Sequence, residues 1–265
     1  MSTNLLPLRE RLHELGSVVV AFSGGADSAF LAWMAHDTLG AEHAVAVTAV
    51  SPSLPARERV ACADLATRWG LRWLEVETDE LDNLAYARNA ADRCYWCKDA
   101  LLAAAGPIAE ARGATVVLGV NLDDLGDHRP GQQAAAERGA AFPLVDAGFT
   151  KADVRAWSKE LGLETWDKPA AACLASRLPY GTPVTLGRLA SVERAEDGLR
   201  ALGFAELRVR HHGDIARIEV PIADLERVVQ QREAVVQAVV AAGYRWATLD
   251  LAGFRSGGFN DQLPT

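Results

Sequence analysis

Residues 23–28 read Ser-Gly-Gly-Ala-Asp-Ser and lie between the apolar run 18–22 and an apolar helical pattern. Adjacent glycines let a backbone come close to a bulky anion, and the hydroxyls of Ser23 and Ser28 can donate to its oxygens. A helix that starts at once after such a loop aims its free N–H groups and positive dipole end at the same place. No Gly-Lys-Ser/Thr closes the loop, so it is not a Walker A sequence. Its chemistry is that of a phosphate or pyrophosphate cradle.

The cysteines are the second group of reactive residues. Cys94-Tyr95-Trp96-Cys97 is a CxxC, a spacing that suits one metal centre or a redox pair. Zinc would want four ligands, and the sequence supplies no second CxxC and no HxxxH. Cys173 is flanked by Lys168 and Arg177, which favour the thiolate where they lie close in space. Cys62 falls within an amphipathic helical pattern of Ala and Leu and reads as core. The plain alternative for Cys94, Cys97 and Cys173 is three small buried residues in loops, against which their polar, arginine-rich surroundings count.

Elements able to position these residues are legible. Apolar runs at 18–22, 43–50, 71–77 and 115–120 read as strands, separated by helical stretches at about 28–39, 55–69 and 98–112. Such alternation predicts a parallel sheet covered on both faces, with ligands outside the carboxyl ends of the strands. The loop at 23–28 and the segment Gly119-Val120-Asn121-Leu122-Asp123-Asp124 both fall there. Polar turns fill 121–150, a short helix follows at about 151–161, and 168–183 is too irregular for either period and reads as a site loop. From about 185 the pattern is helix (186–202), strands at 207–211 and 215–220, a helical stretch to about 242 and a strand at 246–251. The expected organisation is an α/β domain over 1–184 and a smaller α+β domain, of ferredoxin-like kind, over 185–265.

Composition excludes several classes. A chain of 265 residues with 49% hydrophobic and 23% charged residues has ample material for a core. Its net charge of −8 argues against a broad nucleic-acid or membrane-binding face, though not against a small anion held by placed arginines. No apolar stretch approaches a membrane span, and residues 1–16 read as a charged amphipathic helix, not a signal peptide. The expected compartment is the cytoplasm, where cysteines serve as ligands, nucleophiles or core.

The loop SGGADS at 23–28 resembles the pyrophosphate loop (PP-loop) of the ATP pyrophosphatases. With RCYWCK at 93–98, GVNLDDLGDHRPG at 119–131, CLASR at 173–177 and LDLAGFRSGGFN at 249–260, the chain as a whole is similar to the pyridinium-3,5-bisthiocarboxylic acid mononucleotide synthase (LarE) family. These are ATP-dependent sulfur transferases of nickel-pincer nucleotide biosynthesis. The resemblance implies a PP-loop domain of the adenine nucleotide alpha hydrolase kind. It also implies a small-molecule substrate, a carboxylated pyridinium mononucleotide, whose carboxylates are adenylated and then attacked by sulfur.

On that resemblance Ser23, Gly24, Gly25, Asp27 and Ser28 would hold the departing pyrophosphate, and Asp27 would hold a Mg²⁺ bridging phosphate oxygens. Asp123 and Asp124 form a second acidic pair, with a helix cap as their plain alternative. Arg177, Arg208, Arg210 and Arg255 are candidates for the phosphate and carboxylates of the substrate, because a guanidinium meets either group with two prongs. Arg208 and Arg210 share one face of a strand, and Lys98, Arg129 and Glu196 are weaker candidates in the same region. Family members take sulfur by two routes, a sacrificial cysteine that ends as dehydroalanine or a 4Fe–4S cluster on three cysteines. Cys94, Cys97 and Cys173 are all present, which favours the cluster, with Cys173 also the catalytic cysteine. A homo-oligomer is a further family expectation. The competing readings are a sacrificial Cys173, a nucleophile with a resolving redox pair, a tRNA-thiolating enzyme on the same loop, and an ATP-binding iron–sulfur sensor without turnover.

Overall fold

The computed structural model describes residues 4–125, 130–169 and 172–255. In chain order the regular elements are α1 (Leu6–Leu15), β1 (Val18–Ala21), α2 (Ala26–Leu39), β2 (Ala44–Val50), α3 (Ala56–Arg68), β3 (Arg72–Glu77), α4 (Leu84–Ala87), α5 (Arg93–Ala111) and β4 (Thr115–Val117). Then follow α6 (Pro130–Glu137), α7 (Pro143–Asp146), α8 (Lys151–Glu160), α9 (Leu186–Ala201), β5 (Arg208–His212), β6 (Ile215–Glu219), α10 (Leu225–Gln230), α11 (Arg232–Ala241) and β7 (Trp246–Leu249).

The chain forms two compact units. One comprises residues 1–80 and 94–171, the other 81–93 and 172–265. The expected boundary at 184/185 cuts the chain differently, because the second unit also takes in 81–93 and 172–184. The local reason is a set of hydrogen bonds. Val184 N–H donates to the Ala87 carbonyl (2.8 Å) and Gly181 N–H to the Asn89 carbonyl (2.9 Å), and Asn89 Nδ2 donates to the carbonyls of Pro179 (2.8 Å) and Thr182 (2.9 Å). Arg93 Nη1 donates to Asn89 Oδ1 and to the Ala175 carbonyl (2.9 Å).

The first unit is built on a parallel sheet of order β3-β2-β1-β4, as expected for an α/β fold. Its central strand β1 is an unbroken apolar run because both faces are covered. Val18 and Val20 pack with Phe30 and Leu31 of α2 and Leu8 and Leu12 of α1, while Val19 packs with Ala105 and Ala109 of α5. Each of these fully buried valines contributes about 1.5–3 kcal/mol of apolar transfer. The chain steps outward from β1 to β2 to β3 and then returns to the other side of β1 to form β4, so the strand order switches between β1 and β4. A crevice opens at such a switch point, outside the carboxyl ends of the strands.

One expectation is corrected here. The sequence places Cys94 and Cys97 in a loop before a helix at 98, but α5 starts at Arg93 and carries both on its first turns. Tyr, Trp, Cys and Lys offer no break, and the run of Leu and Ala behind them propagates the helix toward the N-terminus.

The second unit pairs β5 with β6 antiparallel and β6 with β7 parallel, in the order β5-β6-β7. Helices α10 and α11 make the crossover from β6 to β7. Val209, Ile218, Val235 and Val239 lie in its core with Leu199 of α9. Among the described residues this sheet has three strands, one fewer than a ferredoxin-like unit.

Candidate active site

The loop after β1 is held from both sides. Ser23 N–H donates to Ser28 Oγ (3.2 Å), the two serine hydroxyls bond each other (3.0 Å), and Ser28 Oγ donates to the Gly25 carbonyl (3.2 Å). Gly24 has φ of +66°, and a Cβ there would stand 2.9 Å from Cys62 Sγ on α3. Only glycine suits that position. Cys62 is therefore core, as expected, and it also forms the floor of the loop. Burial pushes its thiol up to about 11, so it stays protonated at neutral pH.

The other wall comes from the segment after β4. A Cβ on Gly119 would meet Ser28 N at 2.8 Å and the Asp27 carbonyl at 2.9 Å, so strand end and helix start are in backbone contact. Asn121 Nδ2 donates to Asp27 Oδ1 (3.1 Å). Burial raises the Asp27 pKa; Lys151 opposes that shift and Asp124 adds to it. Asp124 Oδ2 accepts from Asn121 N–H (3.2 Å) in a capping box, and Asp123 Oδ2 accepts from Lys151 N–H (2.6 Å) at the start of α8. The helix-cap alternative for this acidic pair thus holds in its hydrogen bonds, while Asp124 also adds its charge to the field at Asp27. A raised carboxyl beside a second carboxylate suits Mg²⁺, which binds through one or two carboxylates together with phosphates and water.

Lys168 departs from expectation. Its Nζ donates to the Gly24 carbonyl (3.0 Å) and to Glu58 Oε2 (3.0 Å), within the first unit. Lys98 is half-buried on α5, Cys97 is half-buried and Cys94 exposed. Three residues apart on one helix, the two thiols share a face. Among the described residues no group of three or more His, Cys, Asp or Glu side chains stands ready to hold a metal ion. Arg129 lies outside the described residues.

In the second unit the arginines converge. Arg177 ends a short 3-10 turn, Leu174–Arg177, that begins after Cys173. Its Nη1 donates to the carbonyls of Ala172 (2.7 Å) and Cys173 (3.2 Å), and its Nε donates to Glu196 Oε1 (2.8 Å). Arg210 donates to Glu219 Oε2 (3.0 Å) and to the Ser176 carbonyl (2.8 Å). Burial would raise the Glu196 carboxyl, but Arg177 and Arg200 outweigh it and hold it low. Glu196 is therefore a counter-ion of Arg177, a correction to its weaker candidacy as a substrate contact.

Arg208 differs from its neighbours. It is 6% exposed, its guanidinium forms no hydrogen bond with any described residue, and it lies over the Phe254 ring at 4.7 Å. Burial lowers its pKa to about 10, with Arg177 and Arg210 adding to the shift. A buried guanidinium of this kind favours an incoming anion. Arg255 is exposed and takes no part in the buried cluster.

Several residues here were not singled out from sequence. Glu58, Lys151 and Arg155 carry no local signal. Glu219 had one, because the hairpin turn at 212–214 puts it opposite Arg208.

The chain matches a family described as NAD synthase over residues 3–99, which contain the loop. It is 44% identical over 267 residues to an uncharacterized protein of Synechocystis, slr1717, with 99% of each chain covered. Over 264 residues it is 40% identical to the pyridinium-3,5-bisthiocarboxylic acid mononucleotide synthase of Lactiplantibacillus plantarum, covering 99% of this chain and 96% of that one. An uncharacterized protein of Methanocaldococcus jannaschii, MJ0830, is 25% identical over 256 residues, covering 95% and 97%.

Proposed function

From a chain that belongs to the pyridinium-3,5-bisthiocarboxylic acid mononucleotide synthase family, an ATP-dependent sulfur transferase family, we propose that it converts the carboxylates of pyridinium-3,5-biscarboxylic acid mononucleotide to thiocarboxylates in nickel-pincer cofactor biosynthesis. The observation that carries the proposal is the loop at 23–28, set at the carboxyl ends of β1 and β4 with the N–H groups of Gly24 and Gly25 unbonded among the described residues.

A substrate carboxylate oxygen attacks the α-phosphorus of ATP, and pyrophosphate leaves. Ser23, Gly24, Gly25, Asp27 and Ser28 hold the departing group, and Asp27 with Asp124 would hold a Mg²⁺, which when bound would offset its charge. Sulfur then attacks the acyl carbon, expelling AMP. Arg208 receives an anionic group of the substrate, and Arg177 and Arg210 bring their positive field to the same place. Arg255 is a further contact.

Cys94, Cys97 and Cys173 supply the sulfur step. Their donor chemistry suits a 4Fe–4S cluster with one open iron, which when bound would supply a sulfide for transfer. In the sacrificial form the Cys173 thiolate makes a thioester with loss of AMP. Removal of its α-proton then breaks the Cβ–S bond, leaving dehydroalanine and the thiocarboxylate. The chain acts as a homo-oligomer in the cytoplasm. No helix among the described residues is long and apolar enough to cross a membrane.

The test is anaerobic iron–sulfur reconstitution, followed by pyrophosphate and thiocarboxylate assays with the biscarboxylate. About four irons per chain, lost on changing any of the three cysteines to Ala, supports the cluster. Iron-free protein whose Cys173 is lighter by one hydrogen sulfide after reaction supports the sacrificial form. ATP binding with no pyrophosphate release would overturn the enzyme reading.

A further inference from the structure

The phosphate loop lacks the lysine that closes a Walker A sequence, yet an ammonium is bonded to it. Lys168, 144 residues away in sequence, places its Nζ 3.0 Å from the Gly24 carbonyl. The same Nζ bonds Glu58 Oε2 of α3 at 3.0 Å, and the side chain is only 23% exposed. Its root is fixed as well, because Arg155 of α8 donates to the carbonyls of Trp166 (2.9 Å) and Lys168 (3.1 Å).

A trans peptide is planar, and its C=O and N–H point to opposite sides. A bond that holds the Gly24 carbonyl toward α3 therefore turns the Gly25 N–H the other way. Glycines on both sides of this peptide make it free to flip, and a flip would turn a carbonyl oxygen toward the anion in place of an N–H. Cys62 Sγ and Leu65 pack on the same side of Gly24 as Lys168, so the carbonyl is held among buried groups. The N–H groups of Gly24, Gly25 and Ala26 have no hydrogen-bond partner among the described residues.

We infer that Lys168 is a positioning residue for ATP: by bonding the Gly24 carbonyl it fixes the Gly24–Gly25 peptide with its N–H turned to the β-phosphate. The inference rests on the nucleotide reading of the loop. Lys168 touches neither the phosphate nor the acyl carbon; it decides which face of one peptide the phosphate meets.

Lys168→Met removes the donor while keeping the aliphatic stem. The expected result is a rise of about tenfold or more in KM for ATP and a fall in the rate of pyrophosphate release, with KM for the pyridinium substrate unchanged. Lys168→Arg, which can still donate to the carbonyl, restores most of the ATP affinity. Glu58→Gln separates this role from a structural ion pair, because it breaks the pair but leaves the carbonyl bond, and it keeps KM for ATP within about threefold. Should Lys168→Met fail to fold, Lys168→Leu, which also carries no donor, takes its place with the same expected loss. A folded Lys168→Met with wild-type KM for ATP overturns the inference, as does equal damage from Glu58→Gln. Wild-type protein that releases no pyrophosphate would instead count against the nucleotide reading itself.

Discussion

At the loop of residues 23–28 the groups that can meet an anion are backbone amides and two hydroxyls, whereas in the second unit they are guanidiniums buried beside two glutamates. The loop has its donors in place through the backbone path alone, and its neighbours Cys62, Gly119 and Lys168 fix that path. The arginine cluster must keep several charges out of water, and it does so by pairing most of them. Arg177 is matched by Glu196 and Arg210 by Glu219, while Arg208 is left for something else. A backbone site is fragile to added volume; a charge site is fragile to lost partners.

The sharpest way to break the loop is Gly119→Ala. Its methyl would sit 2.8 Å from Ser28 N and 2.9 Å from the Asp27 carbonyl carbon and oxygen, so the start of α2 must shift. On the proposed function, a displacement of that order at the loop lowers pyrophosphate release by about hundredfold or more, measured with ATP and the biscarboxylate.

In the arginine cluster, Arg177→Met takes from the buried Glu196 the guanidinium that pairs with it, leaving Arg200 and the Val209 N–H among its partners. Loss of one partner of a buried pair costs about 3 kcal/mol, read by urea unfolding. Adding Glu196→Gln should restore at least half of it, and a double variant as unstable as the single one would contradict the pairing. Arg208→Met should behave in the opposite sense. Removing a charge whose pKa burial has lowered to about 10 leaves no glutamate unpaired, so stability is unchanged or rises by about 1 kcal/mol. Binding of the pyridinium substrate should weaken by about tenfold to hundredfold, seen by calorimetry. A marked loss of stability would show that Arg208 is structural.

The smallest effect concerns His211, whose Nδ1 lies 3.2 Å from the Tyr244 hydroxyl. Burial, then Arg188 and His212, lower its pKa below the usual 6.5. The unfolded chain therefore takes up a proton that the folded chain resists, and stability falls as pH drops through about 6.5. His212 is shifted in the same direction. His211→Gln should flatten the slope between about pH 6.5 and 5 without abolishing it; an unchanged slope would remove His211 as a contributor.

Strand and helix periodicity located β1, β2 and β3 and helices α2, α3, α8 and α9 to within a residue or two, because continuous apolar runs and amphipathic stretches are local patterns; α6 and α7 form where the sequence reads as polar turns. Helix starts were less legible. The pattern at 98–112 hid the true start of α5 at Arg93, since aromatic and cysteine residues carry no strong preference. In the second unit β5 and β6 were clear, but the contribution of 81–93 was not, because it depends on hydrogen bonds to residues about ninety positions later.

The sequence by itself determined the phosphate loop, the parallel sheet that presents it, and the residue types of the loop and of the arginine cluster, because each depends on neighbours within a few positions. Only the tertiary structure decided that Glu196 and Glu219 neutralise two of the arginines, that Arg208 is left over, and that Lys168 is bonded to the loop. Those outcomes depend on which charges meet after tens to more than a hundred intervening residues have folded. Burial raises the cost of any charge left unmatched, and no local pattern records the match.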